Sequence, residues 1–279
     1  MDNPQNQIDA GAPAYGSPAY GALPAPPEPQ EPARLGPLQR FTGVLFSPGE
    51  TFQDVNRKPT IVVPILIAIV IAIAGSLFFN WRVKPDWDRI FRAQVTQQAE
   101  KSNRQMTEED ITKAVDLSKM ITKLVPILVV VFIPISYLLL AGIFALGLLL
   151  IQAKATFKKI LSVVAWSSCA TAVVGSIVTM ASLVVRDQEG LNNLDPTKPG
   201  EIAPTNVAAF LPSDTGAVLR AMAANIDIFT IWFLILLGIG FAAVAGSRKI
   251  KTAQTGKVVF GLWFCWILVR AGWAAAFGR

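Results

Sequence analysis

The sequence contains no histidine and only two cysteines among its 279 residues. Without histidine the chain lacks the side chain that most often serves as a general base, as the partner of a serine or cysteine nucleophile, and as a metal ligand. Cys169 and Cys265 lie far apart in apolar stretches, so neither a disulfide framework nor a zinc-binding spacing is present. Phosphate-binding and dinucleotide-binding motifs are also absent from the sequence. We therefore predict no enzyme, no metal site and no cofactor.

Charge is scarce as well: Asp, Glu, Lys and Arg make up 16% of the residues, whereas hydrophobic residues make up 52%. The apolar residues form long blocks, while a soluble helix would place polar residues on one face. A bilayer core of about 30 Å requires about 20 apolar residues in a helix. Backbone N–H and C=O groups in a bilayer must be paired, either within helices or within a closed barrel. The blocks lack the period-2 alternation of barrel strands, so they are helices. We predict an all-α polytopic membrane bundle of about five transmembrane helices, at residues 60–81, 124–151, 160–185, 226–246 and 258–277.

Outside these spans the sequence divides into a tail and polar loops. Residues 1–38 are rich in Pro, Ala and Gly, which predicts a disordered tail in front of a membrane domain at 39–279. The loop 82–123 is expected to form a helical hairpin, because Thr107 followed by three acidic residues is typical of a helix N-terminus. The second polar loop covers 186–225.

The segment just before the first span carries a helix-start signal. Ser47 and Glu50 have the spacing of a capping box and Pro48 suits the first helical position, so a short helix should begin at Pro48. Phe52 and Val55 share one face of that helix. This face could lie among lipid headgroups or pack against the ends of the membrane helices.

Basic residues indicate the orientation. The short loops 152–159 and 247–257 hold seven basic residues and no acidic ones, which places them and the N-terminus in the cytoplasm. The net charge of +6 therefore reflects membrane topology rather than nucleic-acid binding. The same residues are candidate contacts for anionic lipid headgroups. They are Lys154, Lys158, Lys159, Arg248, Lys249, Lys251 and Lys257.

Two charged residues at or within the spans are the candidate intramembrane site. Asp227 begins the fourth span and Arg270 lies within the fifth, near the same end of the bundle, so the two could form an ion pair. Such a pair is either a substrate or proton site or a structural contact. Hydroxyl residues of the third span, such as Ser168, would either line a path for a solute or bond within and between helices.

Three segments carry a family resemblance: Phe46–Phe52, Ala155–Trp166 and Ile226–Trp232. In this order they resemble the Yip family, named for Ypt/Rab-interacting proteins, and most closely its bacterial branch. The resemblance implies a five-helix bundle with a cytoplasmic N-terminal segment. Eukaryotic relatives act in vesicle traffic and bind prenylated Rab-type GTPases, but the Asp-Leu-Tyr-Gly-Pro motif of one eukaryotic branch is missing here, so Rab binding is not transferred.

The sequence thus predicts a non-enzymatic integral membrane protein of the Yip type that serves membrane organisation or acts as a binding scaffold. A small-solute permease or channel is the alternative. The expected location is a bacterial cytoplasmic (inner) membrane. The expected partner is the lipid bilayer and not nucleic acid; a protein partner and self-association both stay open.

Overall fold

The computed structural model describes residues 34–192, 194, 200, 202–212, 214–247 and 249–277. These residues form α-helices joined by loops and one 3-10 turn, Val207–Phe210, and no β-strand occurs among them. The helices are α1 Pro37–Phe46, α2 Pro48–Arg57, α3 Val62–Val83, α4 Trp87–Lys101, α5 Glu108–Leu149, α6 Phe157–Val185, α7 Gln188–Asn192, α8 Ala217–Ala223, α9 Ile228–Val244 and α10 Thr252–Phe277. The tail predicted at 1–38 lies almost wholly outside the described residues and stays a prediction, although α1 already begins at Pro37.

Among the described residues four helices, α3, α5, α6 and α10, are long and apolar enough to cross a membrane. The apolar helix α9 is shorter, with 17 residues, which at about 1.5 Å per residue gives about 25 Å. It is short because both of its ends are capped: the Asp227 side chain accepts hydrogen bonds from its first turn, and Gly246 follows its end with a left-handed φ of 70°. The predicted all-α membrane bundle is confirmed.

Two helices extend well beyond the apolar blocks from which the spans were predicted. α5 has 42 residues and continues through Pro126 and Pro134, so the second arm of the predicted hairpin and the span that began at 124 are one helix. Its start is the predicted one, because Thr107 and Asp110 form a reciprocal capping box. α10 begins at Thr252 rather than at 258. Hydropathy marks the border of the membrane, whereas caps and turns mark the ends of a helix.

Five helix ends meet at one end of the bundle, which we call the basic end. The backbone of Thr60, just before α3, is hydrogen-bonded to Ser162 in the first turns of α6. The Lys154 N–H, just before α6, donates to the Ala245 carbonyl at the end of α9. A side chain at Gly147, near the end of α5, would contact α10. α3, α6 and α10 therefore start at the basic end, and α5 and α9 finish there.

The most tightly packed core lies near the basic end, where α2 packs against both α6 and α9. Phe52 and Val55 of α2 are fully buried, together with Val163 of α6 and Phe241 of α9. The apolar face of α2 therefore packs against the membrane helices and does not lie among headgroups. Ser47 precedes α2 as expected, but its side chain makes no capping hydrogen bond.

The opposite end carries the two polar segments. α4 folds back on the first part of α5, with ion pairs from Arg92 to Glu108 at 2.9 Å and from Lys119 to Asp88 at 2.7 Å. This confirms the helical hairpin. Part of the second loop returns to the bundle, where Asn206 pairs with Asp227 just before α9.

The close packing of α6 and α2 against α9 depends on Gly240. A Cβ atom at this position would collide with Val163 and lie 3.3 Å from the Phe52 ring. We expect Gly240→Ala to destabilise the fold by about 1–3 kcal/mol, as overpacking of a filled core does, and to lower the thermal midpoint in detergent. Gly261→Ala in α10 is the matched control, because nothing lies within 4 Å of a Cβ there. Equal midpoints for the two variants would contradict the packing described.

Candidate functional site

A buried ion pair holds the N-terminal helices on the bundle. Arg40 of α1 and Asp54 of α2 are each only 2% exposed. Arg40 Nε and Nη2 approach the same carboxylate oxygen, Asp54 Oδ2, at 2.9 and 2.8 Å. Together with Thr60, Ser162 and Trp166 they form a connected set that we call the latch.

Every N–H of the Arg40 guanidinium has an acceptor. Besides the contacts to Asp54 Oδ2, Nη1 donates to the Lys58 carbonyl at 3.0 Å and to Thr60 Oγ1 at 2.7 Å. Nη2 also donates to the backbone carbonyl of Asp54 at 3.4 Å. A guanidinium has five N–H groups, and all five are used. Arg40 thus has no donor left for a ligand, and its role here is to position α1 and α2.

The Asp54 carboxylate is held in its ionised form. Burial acts to raise its pKa, but the hydrogen bond from the Arg34 N–H and the adjacent Arg40 guanidinium outweigh burial, so the pKa of Asp54 is lowered. The Arg34 N–H donates to Asp54 Oδ1 at 2.8 Å. Both carboxylate oxygens are therefore engaged, and the chain entering α1 is fixed at the same point.

Thr60 connects the ion pair to α6. Its hydroxyl accepts from Trp166 Nε1 at 3.1 Å. The Ser162 hydroxyl donates to the Thr60 carbonyl at 2.8 Å and accepts from the Thr60 N–H at 3.1 Å. A small cavity of about 170 Å³ beside these groups is lined in part by Lys58 and Pro37. The latch thereby ties α1, α2 and the start of α3 to one face of α6.

The predicted lipid-contact lysines lie at the same end of the bundle as the latch. Lys154, Lys158, Lys249, Lys251 and Lys257 are exposed, and Lys159 is half-buried. Within the described part of the chain none of them is paired with a carboxylate. Arg248 lies outside the described residues.

Large apolar side chains are exposed at the same end. Phe46 at the end of α1 is 84% exposed and Leu150 at the end of α5 is 83% exposed. Exposed lysines beside exposed apolar side chains are typical of a surface at the boundary between headgroups and acyl chains.

The structure does not bring Asp227 and Arg270 together. Asp227 Oδ1 accepts from the Phe229 and Thr230 N–H groups at 2.9 and 3.1 Å, so the carboxylate caps α9. Arg270 is exposed on α10, and no ion pair joins it to Asp227 among the residues described. A carboxylate at the start of a helix accepts hydrogen bonds from the free N–H groups there, and Asp227 Oδ1 has this role without Arg270.

A family model described as the Yip1 domain matches residues 42–269. This chain belongs to the Yip1 domain family. The membrane protein YknW of Bacillus subtilis (strain 168) is 25% identical to it over 221 residues, which cover 79% of this chain and 84% of YknW. No solved structure gives a significant match. The resemblance noted from the three sequence segments is therefore confirmed.

The latch is the feature that sequence reasoning missed, and the Yip1 domain match contains all of it except Arg40. One signal was available: Asp54 lies between Phe52 and Val55, on the face of α2 that is buried. A carboxylate on an apolar face requires a partner. The sequence alone could not name Arg40, which lies in another helix.

Groups of acidic or thiol side chains able to hold a metal ion are absent from the described residues. Three hydroxyls of α6 donate to carbonyls of their own helix: Thr171 to Ser167 at 3.0 Å, Thr179 to Gly175 at 2.9 Å and Ser182 to Val178 at 2.9 Å. These bonds favour the packing interpretation of the hydroxyl residues over a solute path.

Removing one of the two charged side chains of the latch should destabilise the fold. Asp54→Leu leaves the buried Arg40 charge unpaired, and we expect a loss of about 3–5 kcal/mol in stability, seen as a lower thermal midpoint and as proteolysis between α1 and α3. The double variant Arg40→Met/Asp54→Leu removes both charges and should recover a large part of this loss. If the stability loss of the double variant equals the sum of the losses in Arg40→Met and Asp54→Leu, the two residues are not coupled as described here.

Proposed function

We propose that this Yip1-domain protein is a non-enzymatic membrane scaffold whose basic end associates with anionic lipid headgroups. The observation that carries the proposal is the clustering of exposed lysines from two loops at the end where α1 and α2 are fixed. Lys158 lies in the first turn of α6, and Lys249 and Lys251 lie just before α10, all at this end of the bundle.

Electrostatics and burial act together at this surface. A basic residue near an anionic leaflet contributes about 1 kcal/mol. The aliphatic parts of the lysines can lie along apolar surface while their ammonium groups reach the headgroups. Phe46 and Leu150 add apolar contact at the same level.

The latch gives the scaffold a rigid surface. Because Arg40 and Asp54 have no free hydrogen-bonding groups left for a ligand, α1 and α2 form a fixed platform and not a binding pocket. A protein partner would meet the exposed side of these helices, which includes Gly49 and Glu50. The basic loops and the positive-inside rule support a cytoplasmic position for this platform, in a bacterial inner membrane.

A small-solute permease or channel is the second candidate. It draws on the hydroxyl residues of α6, but Thr171 and Thr179 donate to carbonyls of their own helix. The scaffold proposal accounts for the exposed lysines, which a solute path does not.

Lipid preference tests the proposal directly. Lys249→Gln/Lys251→Gln should weaken the enrichment of phosphatidylglycerol around the protein about tenfold or more, as two basic contacts of about 1 kcal/mol each predict. The measurement is the lipid composition retained by protein purified from mixed phosphatidylglycerol and phosphatidylcholine bilayers. Lys84→Gln/Lys123→Gln is the matched control, because both lysines are exposed near the opposite end. An unchanged enrichment in the Lys249/Lys251 variant would rule out these lysines as headgroup contacts.

Thiol labelling tests the orientation. Single cysteines at Ser47, Lys158 and Thr252 of the basic end and at Thr112 and Asp214 of the opposite end replace exposed residues. In a background without Cys169 and Cys265, a membrane-impermeant reagent applied to intact cells should label only Thr112→Cys and Asp214→Cys. Labelling of Ser47→Cys instead would place the basic end outside the cytoplasm and would remove the inner-leaflet proposal.

A further inference from the structure

A cleft opens between α5 and α9 in the half of the bundle away from the basic end. Its floor is α6, with Ser168 and Ala172, and its walls include Tyr137 of α5 and Phe233 of α9. Toward the basic end the walls meet, because the Phe144 and Phe241 rings pack at 5.2 Å. The cleft has a volume of about 390 Å³, within the range of small-molecule sites.

The cleft is lined by rings and alkyl groups with a few hydroxyls. Tyr137 and Ser168 both contribute hydroxyls to the lining, and Thr171 Oγ1 donates to the Ser167 carbonyl at 3.0 Å. Thr230 adds a hydroxyl on the α9 side of the cleft. Its N–H donates to Asp227 Oδ1, but no described residue accepts a hydrogen bond from its hydroxyl. One hydroxyl donor is therefore available on the α9 wall.

The position of Thr230 indicates which ligand can reach it. Thr230 lies three residues after Asp227, about 4–5 Å deeper along α9, in the layer where headgroups give way to hydrocarbon. From there the cleft continues beside Phe233 toward the middle of the bundle. Its floor residue Ala172 is exposed, so an acyl chain can enter sideways from the bilayer. An ester carbonyl at the top of that chain would lie at the level of the Thr230 hydroxyl.

Asp227 supplies a charge above this point. Only Oδ1 of its carboxylate caps α9, and Oδ2 accepts no hydrogen bond from the described residues. A lipid whose headgroup carries an ammonium group would place that cation beside the free oxygen, whereas an anionic headgroup would be repelled.

We propose that the cleft between α5 and α9 binds one acyl chain of an amine-bearing phospholipid from the leaflet at the opposite end. Thr230 donates to its ester carbonyl and Asp227 faces its ammonium group. This preference is the reverse of that at the basic end, and the proposal holds for either orientation of the bundle.

The test uses the full-length protein in nanodiscs with a phosphatidylethanolamine probe that carries a diazirine near the middle of its acyl chain. After irradiation, labelled peptides should come mainly from the cleft segments of α5, α6 and α9. Ala172→Trp fills the floor and should abolish most of this labelling. Ala74→Trp, on an exposed position of α3, is the matched control and should leave the labelling unchanged.

Two conservative variants test the polar contacts. Thr230→Val keeps the shape but removes the donor, and should lower cleft labelling about fivefold, the effect of one hydrogen bond, with recovery in Thr230→Ser. Asp227→Asn keeps a good capping residue and should remove the preference for the ethanolamine probe over a phosphatidylglycerol probe of the same chain.

The outcomes separate a bound lipid from the surrounding bilayer. Labelling spread evenly over all lipid-facing segments, and unchanged in Ala172→Trp and Thr230→Val, would mean annular lipid only and would overturn the proposal. If Ala172→Trp lowers the thermal midpoint, the Thr230→Val and Thr230→Ser pair decides alone. The enrichment of phosphatidylglycerol by the basic end is measured in the same variants. If it is unchanged, a loss of cleft labelling concerns the cleft alone and not the scaffold proposal.

Discussion

The arrangement of helices at the basic end depends on one buried ion pair, Arg40 with Asp54. Burying two charges costs more than their attraction returns unless the remaining donors and acceptors are also satisfied. Here all five N–H groups of the guanidinium and both carboxylate oxygens are engaged. The pair can form only when α1, α2 and the residues before α3 are in place together, and it therefore specifies a single arrangement of these segments. Thr60 links these segments to α6 through its hydrogen bonds with Ser162 and Trp166.

The bilayer explains why packing differs along the bundle. Lipid tails are as apolar as the helices, so burial of side chains provides little drive for association within the hydrocarbon core. Close to the basic end, α2 adds a helix that is not itself membrane-spanning, and its buried Phe52 and Val55 create a core like that of a soluble protein. Farther from that end no such helix separates α6 from lipid, and α5 and α9 leave space between them.

The sequence was sufficient for features that depend on local chemistry. Apolar blocks predicted the membrane helices, Thr107 predicted the start of α5, and Pro48 predicted the start of α2. Features that depend on which residues meet in space were not predictable. Arg40 and Asp54 lie in different helices without a periodic relation. The possible pairing of Asp227 with Arg270 likewise did not reveal that Asp227 Oδ1 caps its own helix. The extension of α5 was missed because hydropathy reports the membrane border and not the continuity of a helix.

The two proposed lipid contacts follow from the same packing. Near the basic end α2 packs against both α6 and α9, and Val163 and Phe52 fill the space beside Gly240. The Phe144 and Phe241 rings connect α5 and α9 at about this level, and the cleft begins where that contact ends. A bundle filled at one end and open at the other can present a fixed charged surface to one leaflet and receive a lipid chain from the other. The latch therefore bears on the cleft as well as on the platform, because the position of α9 is set by the helix that Arg40 and Asp54 hold in place.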